Sequence, residues 1–158
     1  MSALNSPPFL FQNRITLNND QIKALNVQGT ILVPSPGPRK IIVPLSLSFW
    51  RSVTTAAYSS TDTNGVFLSY TPDFSDSGVI GSPIPYFAFA DGNVGIGFWH
   101  LQMNETGNYS SSATFIDKPV YLYQGAAFTG GNAANLVRIT CAYLIFDTET
   151  GLYVSEDN

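Results

Sequence analysis

The residue types that most often perform catalysis are scarce in this sequence. The chain has one histidine, His100, and one cysteine, Cys141. A zinc site needs several His, Cys or carboxylate ligands at short spacings, and neither residue has such neighbours in the sequence. A Ser/His/Asp hydrolase would use His100 as its base, but the Gly-x-Ser-x-Gly turn of many hydrolases is absent. The sequence therefore predicts no catalytic residue, no metal site and no cofactor.

Paired carboxylates are the other acid–base option, because most glycan-cleaving enzymes use two acids that lie close together. Two near pairs occur, Asp73 with Asp76 and Asp147 with Glu149. Both lie in turn-like sequence, where Asp commonly caps a loop by accepting backbone hydrogen bonds. Residues 92–97 have the glycine spacing of a phosphate-binding loop, but no helix follows to supply an anion site. A glycan hydrolase is therefore the most distant of the functions considered.

The composition indicates a β-protein that makes many protein contacts. Of the 158 residues, 44% are hydrophobic and only 11% are charged, which is less than half of the roughly 25% usual in soluble domains. A neutral, aromatic-rich exterior is typical of a surface that is covered by other proteins. The net charge is −4 and the seven basic residues are mostly scattered, so nucleic acid is not an expected partner.

Several features bear on where the protein is made. A lone cysteine allows no intrachain disulfide and is typical of folding in a reducing cytoplasm. The first residues lack the basic start and apolar stretch of a signal peptide. No apolar run approaches the roughly 18 residues that a membrane span requires. We therefore expect a protein that is made in the cytoplasm of its host and has no membrane partner.

Strand patterns dominate the chain. The clearest covers residues 41–50, where every odd-numbered apolar residue is expected to face a core while Ser46 and Ser48 face outward. Pro44 lacks an amide donor, which predicts a bulge or an edge position near the start of this strand. Asn18, Asn19 and Asp20 offer helix caps before residues 21–25, where one or two helical turns are predicted. Further strand patterns cover residues 14–17, 28–33, 66–70, 92–100, 118–124, 136–147 and 152–154.

This series of strands predicts an all-β fold, because two half-apolar sheets can bury their inner faces only against each other. We expect a jelly-roll-like β-sandwich with a short helical turn near the N-terminus and an extended N-terminal arm. The arm is assigned to residues 1–12, a single β-sandwich domain to residues 13–154 and an acidic tail to residues 155–158.

The arm is rich in apolar side chains and cannot fold on itself, because its two prolines fix the backbone and remove amide donors. It must dock either on the core of its own domain or on a neighbouring subunit. Aromatic residues elsewhere would stack on sugars or fill cores and subunit seams, where a ring buries a large area at little entropic cost. The predicted partner-binding residues are Phe9, Leu10, Phe11, Tyr86, Trp99 and Tyr109.

Short segments at structural turns and strand starts carry a likeness to a known family. They are IKAL at 22–25, ILVPSPG at 31–37, IIVPLS at 41–46 and FTGGNAANLVRIT at 128–140. Together they resemble small β-sandwich virion structural proteins of tailed bacteriophages, of the capsid cement or decoration type. The middle of the chain, residues 51–118, has no such likeness.

The resemblance implies a non-enzymatic cement protein on the capsid surface that bridges and stabilises subunits of the major capsid protein. It also implies a symmetric homo-oligomer, with a trimer favoured, and contacts with the major capsid protein or other virion proteins. An alternative is a receptor-binding or adsorption module associated with a tail or head fibre, which would recognise host surface glycan through its tyrosine-rich loops.

Overall fold

The chain folds into antiparallel β-sheets with little helix, so the predicted all-β class is confirmed. The structure is a computed structural model that describes residues 9–52, 56–61, 65–72, 79–84, 95–100 and 115–155. Helical structure in this part of the chain is limited to α1 (Asn19–Lys23) and a 3₁₀ turn at Ala24–Asn26. The strands are β1 (Phe11–Asn18), β2 (Thr30–Val33), β3 (Lys40–Ser52), β4 (Tyr58–Ser59), β5 (Val66–Ser69), β6 (Val79–Ile84), β7 (Gly95–His100), β8 (Val120–Gln124), β9 (Thr129–Gly130), β10 (Leu136–Asp147) and β11 (Leu152–Tyr153).

Two sheets build most of the described structure. Sheet A has the strand order β1-β10-β3-β7, and β11 pairs with the end of β10. Sheet B has the order β2-β8-β5-β6, and the short strands β4 and β9 pair with each other. Neighbouring strands are therefore mostly distant in sequence, because the chain passes back and forth between the two sheets.

A single hydrophobic core joins the two sheets. The helical connection between β1 and β2 packs into the same core through Ile22 and Leu25, which are fully buried. Core residues on sheet A are Leu17, Ile42, Leu47, Phe49, Val137, Ile139 and Cys141, and those on sheet B are Leu32, Val33, Val66, Leu68, Ile80, Ile84, Val120 and Leu122.

Helix α1 begins at a capping box. The Asn18 side chain accepts a hydrogen bond from the backbone N–H of Gln21 at 2.9 Å, and the Gln21 side chain accepts one from the backbone N–H of Asn18 at 3.0 Å. This reciprocal pair satisfies two backbone donors that a helix start otherwise leaves unpaired. The helical turn predicted from the sequence is confirmed, and of the three candidate caps Asn18 is the one that caps it.

The long strand β3 contains a β-bulge. Against β10, Ser46 lies opposite Ala142, whereas Pro44 lies opposite Tyr143. Leu45 is therefore an extra residue without a partner on β10. Pro44 has no N–H for a regular ladder, and a bulge is one of the few places in a sheet that accept proline. The bulge predicted from Pro44 is confirmed.

The bulge reverses which residues of β3 face the core. Ile42 is buried before it, whereas Leu47 and Phe49 are buried after it. The prediction that every odd-numbered residue of this strand faces the core is therefore wrong for Val43, which is half-buried, and for Leu45, which is 39% exposed. An extra residue shifts the two-residue period of side chains by one, and simple alternation in the sequence does not show that shift.

Cys141 is a buried core residue, as its apolar neighbours in the sequence predict. Burial removes the thiol from water and raises its pKa to about 12. Since only the thiolate is alkylated, burial and the raised pKa both protect Cys141. We expect iodoacetamide at pH 8 to label the native protein at least about 100-fold more slowly than the urea-unfolded protein, as measured by mass spectrometry. Equal labelling rates would contradict the inward orientation of this part of β10.

Candidate interaction surface

The described end of the predicted arm lies on its own domain. Strand β1 begins at Phe11, opposite Tyr143, so the last two residues assigned to the arm are part of sheet A. The Phe11 ring stacks on the Tyr143 ring with centroids 5.6 Å apart, and the Phe9 ring meets the Phe11 ring edge-on at 4.6 Å. Residues 9–12 therefore contact the domain of their own chain, while residues 1–8 lie outside the described part.

Strand β11 continues the edge that β1 begins. The backbone N–H of Phe9 donates to the carbonyl oxygen of Val154 at 3.0 Å, and the N–H of Val154 donates to the carbonyl oxygen of Ile145 at 2.8 Å. The start of β1 and the end of β11 thus lie beside each other along β10. The two ends of the described chain meet at this edge of sheet A.

The predicted partner-binding residues do not form one site. Residues 9–11 lie together at the start of β1, where Leu10 is 50% exposed. Trp99 lies in β7, at the opposite edge of sheet A. Tyr86 and Tyr109 lie outside the described residues, so their predicted role stays a prediction.

Exposed and half-buried apolar side chains lie on the outer face of sheet A, at the end formed by the β10–β11 hairpin. Side chains alternate between the two faces of a strand, so the residues out of phase with the core residues of β1, β3 and β10 point away from the core. Tyr153 lies opposite Phe146, and Val43 lies opposite Leu144. The residues of this cluster, named the apolar patch below, are Leu10, Val43, Leu45, Leu144, Phe146 and Tyr153.

Much of the apolar patch is open to solvent. Tyr153 is 42% exposed and meets the half-buried Phe146 edge-on, with ring centroids 5.4 Å apart. Leu10 and Leu45 expose comparable fractions of their side chains. Soluble monomers rarely leave large, contiguous apolar areas uncovered, and such areas commonly mark protein–protein contacts. The apolar patch is therefore the candidate interaction surface.

The bulge in β3 brings two residues to the apolar patch. In a regular strand that buries Leu47, the side chains of Leu45 and Val43 would also face the core. The extra residue instead leaves Leu45 exposed and turns Val43 outward beside Leu144. The sequence pattern assigns Leu45 and Val43 to the core, but the bulge places both on the outer face of sheet A.

The turn between β10 and β11 is tightly held. One carboxylate oxygen of Asp147 accepts hydrogen bonds from the backbone N–H groups of Glu149, at 2.8 Å, and Thr150, at 3.2 Å. These bonds lower the pKa of Asp147 because they favour its charged form. Glu149 forms an ion pair with Arg39 at 2.7 Å. The carboxylate pair Asp147 and Glu149 therefore fixes the turn beside the apolar patch, and Asp73 and Asp76 lie outside the described residues.

The described part of the chain contains no cluster of three or more His, Cys, Asp or Glu residues that could hold a metal ion. Within the same described residues, no helix has the length and apolar character of a membrane span.

No family model, curated protein or solved structure matches this chain. Its function must be argued from its own surface and from the sequence likeness described above.

Sequence reasoning missed most of the apolar patch. It assigned Val43 and Leu45 to the core, because the bulge was not placed at Leu45. It predicted a strand over residues 136–147 but assigned no role to Leu144 and Phe146. The available signal was that β10 becomes apolar on both faces near its end, which is unusual for a strand with one face in solvent.

Proposed function

We propose that this protein is a non-enzymatic structural module of a tailed-bacteriophage virion, a cement protein that assembles as a symmetric oligomer and binds the capsid. The observation that carries the proposal is the apolar patch on the outer face of sheet A. The low content of charged residues supports it, as does the likeness of residues 22–25, 31–37, 41–46 and 128–140 to small virion proteins.

A jelly-roll fold is part of this proposal, and the strand order supports it. If the strands that build sheets A and B in the described residues are numbered one to eight along the chain, sheet A reads 1-8-3-6 and sheet B reads 2-7-4-5. This order supports a jelly roll, because an eight-stranded jelly roll made of two Greek keys pairs its strands in the same way. The fold recurs in viral capsid domains and in lectins, so it suits a virion protein.

The apolar patch supplies the energy of assembly in this proposal. Burying a large apolar side chain that was exposed stabilises a complex by about 1.5–3 kcal/mol before the costs of association. Leu10, Leu45 and Tyr153 are the most exposed members and contribute most when they are covered. A cement protein needs binding energy alone, because every contact made only by the assembled capsid shifts the equilibrium toward assembly.

The oligomeric state tests the role of the apolar patch. We expect the full chain to sediment as a trimer at micromolar concentration. The double variant Leu45→Ser with Tyr153→Ser is expected to dissociate to monomer, with an association constant at least about 100-fold lower. The matched control is Val27→Ser, which removes an apolar side chain that is 82% exposed but lies outside the apolar patch. A monomeric wild-type protein, or an oligomer that the double variant leaves intact, would contradict the assignment.

Binding to particles tests the virion role. Purified protein mixed with undecorated capsids of the phage that encodes it is expected to attach saturably, at a fixed number of copies per capsid. The same double variant should attach more weakly, because it lacks two of the apolar contacts. A wild-type protein that stays in the supernatant after the capsids are pelleted would refute the cement role.

A further inference from the structure

The outer face of sheet B carries a cleft beside the helical connection between β1 and β2. Side chains alternate along β8, so Tyr121, which lies between the buried Val120 and Leu122, points outward. Ile31 of β2 lies opposite Tyr121 and is 48% exposed. These two side chains, with Pro72 and residues of the helical connection, line a cleft of about 520 Å³, named the sheet B cleft below. The volume is within the range of roughly 300–1,000 Å³ that is usual for small-molecule sites.

One wall of the sheet B cleft depends on a glycine. The backbone N–H of Gly29 donates to the carbonyl oxygen of Pro72 at 3.1 Å. A β-carbon at Gly29 would lie 3.0 Å from that oxygen and 3.3 Å from the Tyr121 β-carbon, which is tighter than ordinary van der Waals contact. Glycine therefore allows the segment after β5 to approach the segment before β2, although β8 lies between these two strands in the sheet. The cleft is thus bounded on one side by a specific backbone contact.

Polar side chains of the sheet B cleft are available to a ligand. The side chains of Gln28 and Thr30 and the hydroxyl of Tyr121 have no hydrogen-bond partner among the described residues. Gln21 differs, because its Oε1 atom accepts the capping hydrogen bond from the Asn18 N–H at 3.0 Å. That bond holds the amide in place and leaves its Nε2 hydrogens to donate. The cleft therefore offers one fixed donor and three further groups that can donate and accept.

The lining of the sheet B cleft excludes two classes of ligand. None of the described residues that line it is charged, so nothing there compensates the desolvation of an ionic ligand. A purely apolar ligand such as a lipid chain would cover the amide and hydroxyl groups and leave them unpaired, which is also costly. A neutral ligand that has an apolar face and many hydroxyl groups meets both requirements.

A peptide strand added to β2 is the main alternative occupant, since β2 is an edge strand of sheet B. This edge is poorly suited to strand addition. Strand β2 has four residues, and its register against β8 shifts between Ile31 and Val33. The carbonyl oxygen of Leu32 already accepts a hydrogen bond from the Asn13 side chain at 2.6 Å. A short, irregular and partly occupied edge offers few backbone hydrogen bonds to an added strand.

We propose that the sheet B cleft is a binding site for a neutral saccharide. The C–H face of one pyranose ring packs on the Tyr121 ring and the Ile31 side chain. The hydroxyl groups of the sugar exchange hydrogen bonds with Gln21, Gln28 and Thr30. The site lies on the other sheet from the apolar patch. It therefore adds a carbohydrate-binding activity to the proposed structural role and does not depend on that role.

Ligand-observed NMR titration with three neutral trisaccharides, maltotriose, cellotriose and chitotriose, tests this site. We expect at least one of them to bind the full chain saturably, with an affinity that does not change with salt, because no charged group takes part. Tyr121→Leu should weaken this binding about fivefold or more, because it removes the ring on which the sugar packs. Gln28→Ala should weaken it about two- to tenfold, which is the usual effect of losing one neutral hydrogen bond.

The matched control is Tyr123→Leu. Tyr123 is half-buried on the same face of β8 as Tyr121, but it does not line the sheet B cleft. Its substitution is expected to change the saccharide affinity by no more than about twofold. Gln28 is exposed, so Gln28→Ala should keep the circular dichroism spectrum and urea transition of the wild type. This variant still tests the site if Tyr121→Leu destabilises the domain.

Four results would overturn the proposal. They are binding of none of the three trisaccharides, equal affinities of Gln28→Ala and the wild type, an equal loss of affinity in Tyr123→Leu and Tyr121→Leu, and tighter binding of trigalacturonate or of a decaproline peptide. The last result would mean that the cleft recognises a charged sugar or a protein segment. None of them bears on oligomer formation through the apolar patch, so failure here is distinguishable from failure of the proposed function.

Discussion

Deletion of Leu45 is expected to leave the fold intact, whereas deletion of Ser48 from the same strand is expected to prevent folding. Without Leu45, Pro44 and Ser46 become neighbours and remain opposite Tyr143 and Ala142, so each has a single partner on β10, although Pro44 still supplies no N–H. No core residue changes face. The cost is expected to be no more than about 2 kcal/mol, which is typical of a tolerated substitution.

Deletion of Ser48 makes Leu47 and Phe49 adjacent, and adjacent residues of a regular strand point to opposite faces. The part of β3 either before or after the deletion must then turn its core residues toward solvent. Each buried side chain that is lost costs about 1.5–3 kcal/mol, so losing several exceeds the roughly 5–15 kcal/mol by which a domain of this size is stable.

Urea unfolding followed by circular dichroism compares the two deletions directly. We expect a cooperative transition for the Leu45 deletion and none for the Ser48 deletion. The Leu45 deletion should also weaken self-association, because it removes a member of the apolar patch. If the Ser48 deletion unfolds like the wild type, or if the Leu45 deletion is unfolded, β3 does not have the register described here.

Gly131→Ala is expected to destabilise the protein by about 2–4 kcal/mol. Gly131 has φ +72°, and a β-carbon there would overlap the Tyr58 ring and lie 2.6 Å from Asn19 Oδ1. The Tyr58 ring cannot easily yield, because it is 4% exposed, packs edge-to-face on Phe128 and donates a hydrogen bond of 3.0 Å to Asn19.

Gly37→Ala is the matched control for Gly131→Ala. Gly37 also has a positive φ, +95°, but no atom lies within 4 Å of the position of an added β-carbon. Only the backbone penalty of about 1–2 kcal/mol applies there. Urea unfolding of both variants gives the two free energies of unfolding. Equal losses would show that the Tyr58 contact adds no cost of its own.

Local signals in the sequence predicted the elements well. The alternation of Val120 and Leu122 with tyrosines marked β8, and both residues are buried. The run Asn18 to Asp20 marked the start of the helical turn, because Asn and Asp side chains can accept a hydrogen bond from a backbone N–H a few residues later, as Asn18 does. Such signals depend only on residues that are close together in the sequence, so they can be recognised without the folded structure.

The pairing of strands that are far apart in the sequence could not be predicted from the sequence. Arg14 and Thr140 are 126 residues apart, and only the register of β1 against β10 brings Arg14 beside Arg138. The register depends on how both faces of each strand pack in the folded protein, which single-strand patterns do not contain. Arg14 and Arg138 therefore looked like two scattered basic residues in the sequence.

The edge of sheet A where Phe9 bonds to Val154 has a practical consequence for how the molecule can be rebuilt. A circularly permuted chain, with a short linker across this junction and new termini opened in an exposed turn, would retain all the strand pairings. A reporter joined directly before Phe9 or directly after Val154 would likewise lie at the same corner of each subunit. In an ordered assembly, every copy would then display its cargo at an equivalent point.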